Sequence, residues 1–174
     1  KQLTDELRIL DCSRSCSGSS TILLASEKYA KQISDSPVWI TGIGQKTISA
    51  SFVKNQFDEL ESTRKAAESA YDMSKISSDQ IDVLEVHDAF SVCELLAIAE
   101  LGISSGEESG EFVRNLFNTE DRMVNPRGGL IGAGHPLGAT GISQTIEITN
   151  QLQGNAGKRQ ITDAEIGLVH NLHA

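Results

Sequence analysis

Of the four histidines in the chain, His135 has the setting best suited to chemistry. It stands in the run Asn125-Pro126-Arg127-Gly128-Gly129-Leu130-Ile131-Gly132-Ala133-Gly134-His135-Pro136-Leu137-Gly138-Ala139-Thr140-Gly141. Glycine at this density lets a backbone come close to a ligand and adopt positive φ. Histidine titrates near neutrality, so a histidine held by a rigid Gly/Pro loop just before a helix is a natural general base or oxyanion donor. A structural histidine in a packed loop is the plainer reading of the same residues. A phosphate cradle is disfavoured, because no GxGxxG follows a strand and no P-loop lysine is present.

His87 is followed by Asp88, and neighbours on an extended chain point to opposite sides. Asp88 is therefore expected to serve structure rather than to orient His87. His170 and His173 flank Asn171 near the last residue, where they would either line a pocket or fray. Cys12 and Cys16 lie four residues apart with no second Cys/His pair at zinc-site spacing, so no metal is expected. Cys93, three residues after Phe90, reads as a small buried hydrophobe. Glu107, Glu108, Glu111, Glu120 and Asp121 read as a solvated acidic stretch, ill-suited to holding an anionic ligand.

These residues need elements to position them. Residues 21–25 and 38–44 read as buried strands, the second β-branched and aromatic and bounded by Pro37, Gly42 and Gly44. Ser26 with an early Glu and late lysines marks a short helix over 26–31. Residues 61–75 are rich in Ala, Glu, Lys and Arg and predict a helix, broken at Ser77-Ser78-Asp79. Residues 81–87 predict a strand, 91–101 a helix, and 102–129 a long glycine- and charge-rich excursion of the kind seldom found without a function. A helix over 138–153 places Ile142, Ile146, Thr149 and Leu152 on one face, with Gly154 beyond its end. A last strand follows at 165–169. Alternating strands and helices imply an α/β fold with helices on both sheet faces.

Composition narrows the function. The chain has 174 residues with a hydrophobic fraction of 39%, enough for one domain spanning 1–174 with a real core. Fifteen Lys+Arg against 24 Asp+Glu give a net charge of -9, which argues against a nucleic-acid or anionic-membrane surface. Apolar runs are too short for a membrane span, and the first residues lack an apolar signal region. An odd number of cysteines points to free thiols in a reducing compartment, so a cytoplasmic location is expected.

Several motifs occur together in an order that resembles a known family. Gly134-His135-Pro136-Leu137-Gly138-Ala139-Thr140-Gly141 resembles the GHPxGxTG loop of thiolases, and Asn125-Pro126-Arg127-Gly128-Gly129 the NxxGG segment leading into it. Val86-His87-Asp88-Ala89-Phe90 resembles the HDxF loop of the sterol-carrier-protein-type and archaeal thiolases, where degradative thiolases show NEAF. Gly167-Leu168-Val169-His170-Asn171-Leu172 resembles the start of the last active-site loop in that branch, also labelled nonspecific lipid-transfer protein-like. The likeness covers nearly the whole chain, but only the C-terminal half of a thiolase.

The resemblance implies a thiolase-like half: a mixed five-stranded sheet with helices on both faces, its last strand missing after Asn171. In the family the nucleophilic cysteine lies in the first half and takes the acyl group from acyl-CoA. By resemblance His135 would activate that cysteine and contribute to an oxyanion hole, while His87 would stabilise the enolate oxygen directly or through water. Asn171 would stand where many relatives carry a second catalytic cysteine. Phe90, Gly134, Pro136 and Gly138 would line the substrate. No cofactor is implied beyond the CoA thioester, which is substrate. The implied partners are acyl-CoA, the N-terminal thiolase half, a like subunit in a homodimer or higher oligomer, and a small OB-fold/zinc-type accessory protein as in archaeal relatives. His87 and His135 are expected on loops at one sheet edge, about 5–8 Å apart, as two groups sharing one reacting oxygen require.

The chain departs from the family pattern at Ala89, which some relatives replace with cysteine, at His173-Ala174 in place of a glycine pair, and at Ser17 in place of the aspartate before Gly18. Two readings follow. One is an acyltransferase of the Claisen type, working in either direction with a cysteine from the other half. The other is a non-catalytic or aldolase-type thiolase-like subunit, labelled lipid-transfer protein, that acts with a partner.

Overall fold

In a computed structural model of the chain, which describes residues 1–49, 59–105, 108–116 and 123–172, the helices and strands follow in order. They are α1 (Glu27–Ile33), α2 (Glu61–Ser74), β1 (Val83–Glu85), α3 (Ser91–Glu100), α4 (Ser109–Leu116), α5 (Gly129–Ala133), α6 (Thr140–Leu152) and β2 (Gly167–Val169). Short 3-10 turns occur at Ile9–Asp11, Ser78–Gln80, Leu137–Ala139 and Gly157–Arg159.

β1 and β2 pair in parallel, with Val83 opposite Gly167, Leu84 opposite Leu168 and Glu85 opposite Val169. Val124 bridges Leu84 on the far edge of β1, through Leu84 N–H to Met123 O at 2.7 Å and Asn125 N–H to Leu84 O at 2.9 Å. β1 is thus bonded on both edges, and its three residues are wholly buried.

Side chains alternate across a strand, so β1 serves two cores. Leu84 and Val86 pack with Ala67 of α2, Ala97 and Ile98 of α3, and Leu101. Val83 packs on the opposite side with Ile148 of α6 and Ile161. Full burial of side chains of this size is worth about 1.5–3 kcal/mol each. α2 and α3 therefore cover one face of the parallel pair and α6 the other, the α/β layering expected of the sequence.

The structure differs from expectation in three places. Residues 21–25 and 38–44 form no strand, so the paired strands among the described residues are two and parallel, where the resemblance implied five and mixed. Their apolar content resembles that of a buried strand, but a strand needs partners for its N–H and C=O groups. Leu23, Leu24, Ile40 and Ile43 remain exposed. Residues 38–44 lie instead against the backbone of α2: a Cβ on Gly42 would stand 2.3 Å from Ala70 O, and one on Gly44 1.7 Å from Ala66 O. Second, the excursion 102–129 contains α4 and ends at α5. Phe112, Val113 and Leu116 of α4 lie against the Leu84/Val86 core, which rewards a helix that charge-rich composition conceals. Glu107, Glu120, Asp121, His173 and Ala174 fall outside the described residues.

The third difference concerns α6. Its most buried residues are Thr140, Gln144, Glu147, Ile148 and Gln151, not the Ile142, Ile146, Thr149 and Leu152 stripe. Polar side chains occupy this face because each finds partners there. Glu147 bonds Arg159 at 2.9 Å, and Gln151 donates to Arg159 O at 2.8 Å and accepts from Ile161 N–H at 2.8 Å.

Candidate functional site

The loops that leave β1 and β2 and the glycine-rich run before α6 meet at one end of the parallel pair. The rings of His87 and His135 stand edge to face, centroids 5.0 Å apart and planes at 87°. His87 is buried at 7% exposure, just past β1, and His135 is half-buried. The structure thus brings together the two histidines that sequence singled out.

His135 is held on both sides. Its N–H donates to Arg14 O at 2.8 Å, forming a parallel bridge between Ser15 and His135. Its Nδ1 meets the buried Thr140 Oγ1 at 2.7 Å, from the first residue of α6. The same N-terminal segment reaches the other histidine loop: Ser13 N–H donates to Ala89 O at 2.8 Å, and Cys12 bridges Phe90. Residues 12–15 therefore stitch the two loops together, a role that nothing in their composition announces.

Asp88 turns away from that contact. Its carboxylate accepts the N–H groups of Leu130 at 2.6 Å and Ile131 at 3.3 Å, in the first turn of α5. Gly129 is required beneath it, since a Cβ there would stand 2.1 Å from Asp88 Oδ2, and its φ of +61° lies in the left-handed region. Burial raises the Asp88 carboxyl above its ordinary value despite these donors. Asp88 anchors the glycine run to the β1 loop, the structural duty expected of it.

Asn125 makes a second anchor. In a left-handed conformation at φ +48°, it accepts Val86 N–H at 2.9 Å and donates to Glu94 Oε2 at 3.0 Å. Burial, together with the negative charge of Asp88, pushes Glu94 up to about 7. Glu85, fully buried in β1, accepts from Arg127 Nε at 3.0 Å, and Arg127 Nη1 also donates to Ser143 Oγ. Burial outweighs the guanidinium and lifts Glu85 to about 7.

The β2 exit is tied to the β1 exit through His170. Burial, aided by neighbouring His87, lowers His170 to about 4, so the ring is neutral near pH 7. Its Nδ1 accepts His87 N–H at 3.4 Å, which leaves Nε2 as the protonated nitrogen facing Thr63 Oγ1 at 3.0 Å. Asn171 is exposed, and its Nδ2 donates to Gln144 Oε1 at 2.9 Å. Asn171 thus reaches the two-histidine site through Gln144 and His170 and not by a ring contact of its own.

The remaining candidates are more open. Phe90, at 46% exposure, stands at the start of α3 on the Cys12 side. Gly134, at φ +92°, and Pro136 flank His135, while Gly138 lies exposed in the 3-10 turn before α6. Sequence reasoning missed Gln144, and it quoted Asn125 and Thr140 within the motifs without giving either a role of its own. The available signal for Gln144 was its polarity on the helix that follows the glycine run. Among the described residues, no cluster of three or more His, Cys, Asp or Glu could hold a metal ion, and the three cysteines are free. No described helix is long and apolar enough to cross a membrane.

Comparison with known proteins gives the family and the fold. The sequence profile of the family described as "Thiolase C-terminal domain-like" matches residues 44–173. An acetyl-CoA acetyltransferase of Methanothermobacter thermautotrophicus is 39% identical over 173 residues, covering 98% of this chain and 45% of that protein. Human sterol carrier protein 2 is 35% identical over 180 residues, covering 99% of this chain and 33% of that protein. The chain therefore spans less than half the length of these relatives. Among solved structures, a chain of the Ltp2-ChsH2(DUF35) aldolase superimposes with a TM-score of 0.82 at 17% identity, over 97% of this chain and 45% of that one, which speaks to the fold. With its motifs in order and their loops converging, this chain belongs to the thiolase C-terminal domain-like family.

Proposed function

We propose that the chain supplies the two-histidine half of an acetyl-CoA C-acyltransferase (thiolase)-like enzyme, whose nucleophilic cysteine comes from an N-terminal thiolase half. The observation that carries this reading is the 5.0 Å edge-to-face contact between His87 and His135. When Nδ1–H of His135 donates to Thr140, Nε2 keeps the lone pair that a general base needs. That nitrogen takes the proton of the cysteine thiol. The thiolate attacks the thioester carbonyl, and CoA leaves as the thiol after taking up a proton. His87, whose ring meets that of His135, donates to an enolate oxygen formed in the carbon–carbon step. The amide of Asn171 cannot accept the α-proton, so that proton goes to a histidine or to a group on the other half. The substrate is an acyl-CoA, bound along Phe90, Gly134, Pro136 and Gly138 without a further cofactor. A like subunit and a small OB-fold/zinc-type accessory protein complete the assembly, in the cytoplasm.

A second reading, an aldolase-type or lipid-transfer-labelled subunit acting with a partner, draws on Asn171 in place of a second catalytic cysteine. The two are separated by one experiment. The 174-residue chain alone is expected to show no thiolysis of acetoacetyl-CoA, whereas the chain joined to a cysteine-bearing N-terminal half is expected to form an acyl-enzyme with acetyl-CoA, seen by intact mass. Turnover by the chain alone would overturn the assignment of roles. An N-terminal half that never becomes acylated would favour the second reading.

A further inference from the structure

Gln144 has no exposed surface, and its whole amide is used by groups that flank the candidate site. Nε2 donates to Val86 O at 3.0 Å and His170 O at 3.4 Å, while Oε1 accepts from Asn171 Nδ2 at 2.9 Å. Val86 directly precedes His87, and His170 directly precedes Asn171. Two carbonyls can only accept, so the Gln144 amide has a single orientation compatible with them. That orientation presents Oε1 to Asn171, which must answer with Nδ2, so the direction of the Asn171 amide is dictated from inside the protein. Gly141, one turn earlier on α6, leaves the room: a Cβ there would stand 3.2 Å from Asn171 Nδ2.

Resting on the acyltransferase reading above, we infer that Gln144 is a positioning residue which locks the Asn171 amide in one orientation and fixes the strand exit carrying His87. Its partners belong to the loops of His87 and Asn171, while His135 is held separately by Arg14 and Thr140. Loss of Gln144 therefore acts on the carbon–carbon step and spares acylation.

The test uses the full-length protein that contains this chain and its cysteine-bearing half. Gln144→Met keeps the volume and removes all three hydrogen bonds. It should lower the steady-state carbon–carbon rate by about 10²-fold, the scale of a small misplacement at a reacting centre, while the acylation burst keeps its amplitude. Gly141→Ala is a second variant that leaves Gln144 intact and suits a helix better by propensity. It should slow the same step several-fold by pressing on the same Asn171 amide nitrogen. Crystal structures of both variants should show the Asn171 amide displaced. Equal losses of burst and steady-state rate, or an unmoved Asn171 in Gln144→Met, would overturn the inference. A wild-type protein without any burst would instead remove the acyltransferase reading, and the position of Asn171 in the variants would still decide the role of Gln144.

Discussion

Replacement of His135 by alanine is expected to slow acyl transfer by about 10²–10⁴-fold in the protein joined to its cysteine-bearing half, the usual contribution of a positioned acid or base. The loss should fall mainly on kcat, because a base that accepts a proton during reaction is worth more in the transition state than in the substrate complex. Folding should change little. His135 is half-buried, and its backbone bond to Arg14 O survives the substitution. The partner experiment uses His87→Ala, which should leave an acylation burst while depressing the carbon–carbon step. Burst amplitude and steady-state rate, measured for both variants, separate the two roles. Wild-type rates in His135→Ala would leave the family assignment standing and remove the mechanism.

The second large effect is on stability. Glu85 has no exposed surface, and Arg127 is its ion-pair partner at 3.0 Å, with Oε1 finding no hydrogen bond among the described residues. Removing one member of a buried pair typically costs about 3–5 kcal/mol, since the remaining charge is left uncompensated. Arg127→Met should approach that cost at pH 8. The pH dependence follows from the direction of the shift. Glu85 is raised from an ordinary 4.5 to about 7, so the folded protein holds a proton that the unfolded chain releases. The stability tied to this proton is complete below about 4.5 and is lost as pH rises through 7. Without Arg127 the folded Glu85 holds its proton to still higher pH, with the charges of Glu147 and Asp88 pushing the same way. The penalty of Arg127→Met should therefore shrink as pH falls from 8 to 5, and adding Glu85→Gln should recover most of it. Urea unfolding across that range measures both, and a small penalty that does not change with pH would contradict the account.

Parts of this are legible in the residues themselves. β1 was readable because residues 81–87 alternate in part between apolar and polar, and α2 and α3 because their composition and spacing favour helix. α4 was not readable, since a helix of eight residues set among charges gains its stability from Phe112, Val113 and Leu116 meeting a core made by distant residues. Residues 21–25 and 38–44 were misread for the converse reason: apolar sequence promises a strand, but only a neighbouring backbone makes one.

The sequence by itself determined the chemistry available: a histidine in a Gly/Pro loop, a second beside Asp88, and the ordered motifs that mark the family. These are local properties of residue type and spacing, and they do not depend on packing. Tertiary structure alone decided which groups lie together. The 5.0 Å approach of His87 and His135 spans nearly fifty residues of chain. The polar inner face of α6 shows the physical reason most clearly. A hydrophobic-periodicity argument assigns Gln144, Glu147 and Gln151 to solvent, because it counts the cost of burying them and cannot see their partners. Val86 O, Arg159 and Ile161 N–H offset that cost only once the fold has brought them there.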